Sequence, residues 1–154
     1  SLVGSEMCIR DRNYIDYFEA IRNKLKKNGI ALIHTIGRMA PPGNNSPWLD
    51  KYIFPGGYSP ALSEMVASVE KNYLCITDVE VWRLHYAKTL RHWHSRFTEN
   101  EKLIREIYGD RFCRMWRYYL ISSEISFRYY QHVVFQVQIT KEQEAVPLTR
   151  NYLY

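Results

Sequence analysis

The sequence predicts an α/β domain with a long helical stretch inserted before its last strand. A helical repeat followed by a short apolar, strand-like run occurs twice in succession, over 13–33 and 59–82. Such α-to-β units build an open α/β sheet. Near the end, Val133, Phe135, Val137 and Ile139 alternate with Val134, Gln136 and Gln138, the period of a half-buried strand.

The first unit starts at Asn13, a helix-capping residue type. Ile15, Phe18, Ile21 and Leu25 then recur on one helical face. Lys24, Lys26 and Lys27 suit the negative end of the helix dipole, and Asn28-Gly29 stops it. Ile30 to Ile33 is continuously apolar, which predicts a strand covered on both faces. Residues 38–60 are rich in Pro, Gly and Asn. So long a loop beside a strand end is either functional or a variable connection. The second unit has a helix from Ser59, with Leu62, Met65, Val66 and Val69 apolar, and a strand from Leu74 to Trp82. From about Tyr86 to Tyr130 the pattern is helical, with stripes at Leu90/Trp93/Phe97, Leu103/Ile104/Ile107/Tyr108 and Met115/Tyr119/Leu120. A break falls at Gly109-Asp110. The tail from Glu142 has no pattern.

At 154 residues the chain suits one domain. No apolar run approaches a membrane span. Aromatic residues make up 15% of the chain, and the net charge is +5. Together they fit an apolar pocket or a Tyr-rich interface, and an anionic partner such as phospholipid or nucleic acid. Cys8, Cys75 and Cys113 show no metal-ligand spacing and read as reduced structural thiols. His85, His92 and His94 do not fall at i and i+4 on one helix face, so no metal is expected. Arg and Lys residues between 83 and 128 fit solvated helix faces or an anionic surface. Residues 1–12, SLVGSEMCIRDR, lack both a helical period and a signal-peptide pattern. They resemble translated sequencing-adapter DNA and are read as foreign to the fold.

His34 and Tyr86 are the candidate site residues. Each follows an apolar, strand-like run, and in open α/β sheets the ligand crevice lies beyond the carboxyl ends of the strands. His34 also fits a hydrogen-bonded core residue, and Tyr86 a packing residue. If both strands run parallel, the two residues share a rim where a carboxylate or bicarbonate would fit.

From Asn13 to about Lys141 the sequence resembles the C-terminal half of cyclopropane-fatty-acyl-phospholipid synthases. The residues that carry the likeness are Ile33-His34-Thr35-Ile36, Tyr52-Ile53-Phe54-Pro55-Gly56-Gly57 and His85-Tyr86-Ala87-Lys88-Thr89-Leu90 with Trp93. Arg114-Met115-Trp116, Phe127-Arg128 and Phe135-Gln136 support it. The resemblance implies a class I methyltransferase fold, Rossmann-like, with S-adenosylmethionine as cofactor. It implies methyl transfer to a cis double bond of a phospholipid acyl chain, through a carbocation, with bound bicarbonate as base. It places bicarbonate on His34, the backbone of Ile36, and Tyr86, with His34 and Tyr86 as catalytic residues.

The family's glycine-rich cofactor loop is not found in this sequence, nor are the cysteine and glutamate of its bicarbonate site; Glu6 is out of register for the latter. Residues 13–141 are therefore expected to be the C-terminal part of the methyltransferase domain, followed by a tail over 142–154. The chain alone is expected neither to bind S-adenosylmethionine nor to turn over. Unsaturated phospholipid acyl chains at the membrane surface are the implied partner, with no nucleic acid and with room for a homodimer. The expected location is cytoplasmic, peripheral to the membrane. Two alternatives stay open: a related methyltransferase acting on another lipid or small molecule, and a non-enzymatic basic module that binds membranes or nucleic acid.

Overall fold

The computed structural model describes residues 13–153. Its element order is α1 (Tyr14–Lys24), β1 (Ile30–Arg38), α2 (Pro47–Tyr52), α3 (Leu62–Lys71), β2 (Cys75–Trp82), α4 (His85–Glu99), α5 (Glu101–Tyr129) and β3 (His132–Thr140). Two short 3₁₀ turns, Gln143–Ala145 and Arg150–Leu153, follow.

The three strands form one sheet in the order β1-β3-β2. Both outer strands pair antiparallel with β3, so β1 and β2 run in the same direction, as the two α-to-β units require. They are not neighbours, because β3 lies between them. This central place explains why β3 is buried along nearly its whole length rather than half-buried as its alternation suggests. One set of side chains meets helices on one face and the other set meets helices on the opposite face. On the first face Ile33, Val133, Phe135, Val137 and Ile139 pack against Tyr14, Phe18 and Ile21 of α1 and Met65 and Val69 of α3. On the second, Val134 joins Ala87, Leu90 and Phe97 of α4 and Cys113, Tyr119, Leu120 and Phe127 of α5.

β1 is twice as long as its apolar run and is not covered on both faces. Ile33 and Gly37 are buried while Ile30 and Leu32 are exposed. The short helix α2 was not legible as a helix. Ser46 caps it, accepting from the Trp48 N–H at 3.3 Å, with Pro47 at its first turn. α3 begins at Leu62, later than Ser59, where the Glu64 carboxylate accepts from the Ala61 N–H at 2.8 Å. The long helical region divides at Asn100. It kinks again at Gly109, whose φ of 79° and ψ of 169° interrupt the helix, as its glycine allows.

Polar contacts fix the joints between elements. Arg22 of α1 donates to the Asn72 carbonyl at 2.6 Å, and Asn72 Nδ2 donates back to the Ile15 carbonyl at 2.9 Å. The patternless tail is held as well. Arg150 pairs with Asp78 at 2.6 Å, and the Tyr152 hydroxyl donates to Gln138 Oε1 at 2.6 Å. The segment read as foreign, 1–12, lies outside the described residues.

Candidate functional site at the outer strand

His34 sits in the middle of β1, not at its exit, because the strand runs on through Thr35, Ile36 and Gly37 to Arg38. Its Cα partner across the ladder is Gln136, and Gln136 in turn faces Glu80 of β2. Gln136 Nε2 donates to His34 Nδ1 at 3.1 Å. An amide nitrogen only donates, so Nδ1 is the acceptor and the neutral ring carries its proton on Nε2. The exposed imidazole thus presents an N–H donor away from the sheet. Trp82 stands edge-on to the ring, with centroids 5.8 Å apart and planes at 77°.

Ile36 shares the face of His34, two residues along. Its backbone direction follows from its neighbours. The Met39 N–H donates to the Gln131 carbonyl on the β3 side, whereas the Arg38 N–H donates to the Pro60 carbonyl on the far side, both at 2.9 Å. Alternation along a strand therefore turns the backbone N–H groups of Ile36 and His34 outward, away from β3. Among the described residues no strand pairs with that edge of β1.

Tyr86 is the second residue of α4, which opens at His85, three residues past the end of β2. Its half-buried ring packs against Trp93 at 5.9 Å and Phe127 at 5.1 Å. Trp82 touches His34 on one side and His85, the residue before Tyr86, on the other, the latter at 4.8 Å. No side chain caps the first turn of α4, so free N–H groups there favour an anion. Tyr119 lies behind. Burial first, and the nearby Tyr86 second, push its phenol above the ordinary tyrosine range, which keeps it a protonated donor. Among the described residues no three His, Cys, Asp or Glu gather as a metal site.

The loop after β1 is ordered by one arginine. Arg38 Nε donates to the Ser59 carbonyl at 3.0 Å and Nη2 to Asn45 Oδ1 at 3.1 Å, while Asn45 reaches the Gly57 carbonyl at 2.8 Å. Trp82 and Gln136 escaped the sequence reading as site residues. Both are addressed to His34 by strand register, which local patterning does not fix.

A model of the mycolic acid cyclopropane synthetase family matches residues 2–137. The chain belongs to that family. The cyclopropane-fatty-acyl-phospholipid synthase of Escherichia coli (strain K12) is 34% identical over 142 residues, covering 92% of this chain and 37% of that protein. Tuberculostearic acid methyltransferase UfaA1 of Mycobacterium tuberculosis is 32% identical over 150 residues, covering 92% of this chain and 35% of that protein. The chain therefore spans well under half the length of these curated relatives. The solved structure of the cyclopropane synthase MmaA2 from Mycobacterium tuberculosis matches with a TM-score of 0.79 at 23% identity, covering 88% of this chain and 52% of that one. This cyclopropane synthetase family member shares the α/β methyltransferase fold of those structures, over about half of it.

Proposed function

We propose that these residues form one wall of the active site of an S-adenosylmethionine-dependent methyltransferase that builds cyclopropane rings on unsaturated phospholipid acyl chains. The observation that carries this reading is the His34–Ile36 segment. It turns donors outward beside Trp82, in a chain 34% identical to a cyclopropane-fatty-acyl-phospholipid synthase. When bound, S-adenosylmethionine would supply the methyl group and leave as S-adenosylhomocysteine. The acyl double bond accepts it, and the resulting carbocation closes to a ring when the added methyl loses a proton.

The donors present fit an anion that takes this proton. The Nε2–H of His34, the outward Ile36 N–H and the Tyr86 hydroxyl only need to donate, which suits bicarbonate. A fixed anion beside a transient cation is worth most where water is excluded. Gln136 holds the imidazole orientation, and the faces of Trp82 and Tyr86 attract positive charge.

The test is lipid analysis of cells expressing the protein that carries this chain. The expected result is a gain of one methylene in mass on unsaturated chains, with the high-field proton resonance of a cyclopropane. The mass gain with an olefinic methylene resonance instead supports a second reading, a fatty acid methyltransferase. That reading is favoured by the 32% identity to tuberculostearic acid methyltransferase. No mass gain refutes both. His34→Ala and Tyr86→Phe should each lower turnover, by roughly a hundredfold and tenfold on general acid–base magnitudes. On the same reading the 154 residues alone bind S-adenosylmethionine weakly or not at all. Tight binding in a calorimetric titration overturns that part.

A further inference from the structure

Tyr119, which the sequence places on an apolar stripe with Met115 and Leu120, carries a hydroxyl that the packing does not use. The residue is 7% exposed. Its ring stands edge-on to Phe54 at 5.8 Å and tilted against Trp116 at 5.0 Å, contacts that a phenylalanine would make equally well. Among the described residues nothing hydrogen-bonds the Tyr119 hydroxyl, yet that oxygen is not sealed from solvent. Less buried tyrosines do have partners: Tyr58 donates to Glu64 at 2.9 Å and Tyr152 to Gln138 Oε1 at 2.6 Å. A hydroxyl nine-tenths buried with its hydrogen bond unmade is costly and uncommon, and it calls for a reason. Phe54 is 53% exposed, so the loop after α2 puts the mouth of this space at the surface. Tyr86 lies in the same apolar cluster, near enough for its charge to act on the Tyr119 phenol. Its own hydroxyl also has no hydrogen-bond partner among the described residues.

We propose that Tyr119 is a further anion-binding residue, whose hydroxyl donates to the same oxyanion oxygen as the hydroxyl of Tyr86. Two phenols that are close together, each with its proton uncommitted, can hold one small acceptor between them. Burial keeps the Tyr119 phenol in its protonated, donating form. A donor fixed in an apolar surround acts on an anion more strongly than one in water. The ring contacts with Phe54 and Trp116 hold the phenol in place before the anion arrives, so little ordering is left to be done on binding. The ligand is an acceptor of donated protons, a bicarbonate or carboxylate, and not a cation, because Tyr119 offers a proton. The inference rests on the anion-base reading above and adds to it a donor that the family resemblance does not supply.

The experiment is a titration of isotope-labelled bicarbonate with the protein that carries this chain, at constant ionic strength. Binding is followed by broadening of the bicarbonate carbon resonance, which needs neither S-adenosylmethionine nor turnover. Tyr119→Phe removes the hydroxyl alone and should weaken binding about tenfold, the size of one hydrogen bond to a charged acceptor. Tyr86→Phe should weaken it by a similar factor. Tyr108→Phe, the same change at a phenol 63% exposed on α5, should leave it within about twofold. The urea midpoint of Tyr119→Phe should stay within about 0.3 M of the parent, because no protein partner is lost. Parent-like bicarbonate binding by Tyr119→Phe beside a weakened Tyr86→Phe overturns the inference and leaves the anion site standing. So does a midpoint lowered by more than about 0.5 M, which would give the hydroxyl a structural partner. An equal loss in Tyr108→Phe overturns it as well. Binding that neither Tyr86→Phe nor His34→Ala weakens refutes the anion site itself, and the role of Tyr119 with it.

Discussion

Gly37 is the position where one added methyl group should do the most damage. It lies on β1 next to Ile36, opposite Val133, and its missing side chain points at Phe135. A Cβ there would stand 2.4 and 2.6 Å from two carbons of the Phe135 ring and 2.7 Å from the Pro60 carbonyl oxygen. Carbon atoms in packed interiors rest at about 3.5–4.0 Å, so something must retreat by about 1 Å. Phe135 is fully buried. Pro60 is buried too, and its carbonyl is held by the Arg38 N–H at 2.9 Å. With both walls fixed, Gly37→Ala should cost about 2–3 kcal/mol, the upper part of the overpacking range. Urea unfolding followed by circular dichroism should show the midpoint falling by about 1 M, taking an m-value of about 2 kcal/mol/M. Phe135→Leu gives the ring's share. In the double variant the two losses should fall short of their sum by more than about 1 kcal/mol, because the clash has been removed. A midpoint within about 0.2 M of the parent for Gly37→Ala, at unchanged m-value, refutes the close approach of β1 and Phe135.

Three further outcomes follow from particular contacts. Burial first, and the Arg38 charge second, hold the His132 imidazole below its ordinary range. Below about pH 6.5 the unfolded chain therefore takes a proton that the folded chain refuses, and stability falls with pH. His132→Gln should flatten the stability profile between about pH 7 and 5, and an unchanged slope counts against it. Glu64→Ala removes the acceptor of the Tyr58 hydroxyl at 2.9 Å and of the Ala61 N–H at 2.8 Å. It should lower stability by about 1–2 kcal/mol in the same urea assay. Gln136→Leu frees His34 Nδ1. In the protein that carries this chain it should lower turnover about fivefold without moving the urea midpoint by more than about 0.5 M. Full activity in Gln136→Leu alongside an inactive His34→Ala would show that the amide does not orient the ring.

Much of the fold was legible because it rests on local periods. The helix over 14–24, the apolar side of 62–71 and the strand over 133–139 each follow from side-chain spacing; Phe18, Ile21, Met65 and Val69 are buried as the spacing requires, while Ile15 is exposed and β3 is buried on both faces. Gly109 was legible as a break for the same local reason. The short helix over 47–52 was not: at six residues it shows no helical period, and its cap and proline read equally as loop punctuation. The end of β1 was also misplaced. Thr35 and Gly37 look like a strand exit in sequence, but Thr35 faces the first core and Gly37 is glycine because Phe135 occupies the space. Long-range packing chose both residues, so no local pattern announced them.

The site divides along the same line. His34 and Tyr86 stood out as polar groups after apolar runs; His34 lies within β1, and Tyr86 lies on α4 just past β2, which runs in the same direction as β1. What surrounds His34 did not stand out. Inserting β3 between the two strands makes Gln136 the neighbour of His34, and the register of β2 delivers Trp82 to the same ring. A one-residue slip of β3 would bring a core-facing residue, Phe135 or Val137, opposite His34 in place of Gln136. The buried Phe135 and Val137 forbid that slip, since it would drive the apolar set of β3 to the polar face. The packing on one side of the sheet therefore fixes which polar groups meet on the other. A period in a sequence shows that two faces differ, but not which elements cover them. The stripe at Leu103 and Ile107 has helical spacing like the buried Leu90 and Phe97, and only the tertiary structure shows that its member Ile104 packs on the second core while Leu103 and Ile107 stay exposed.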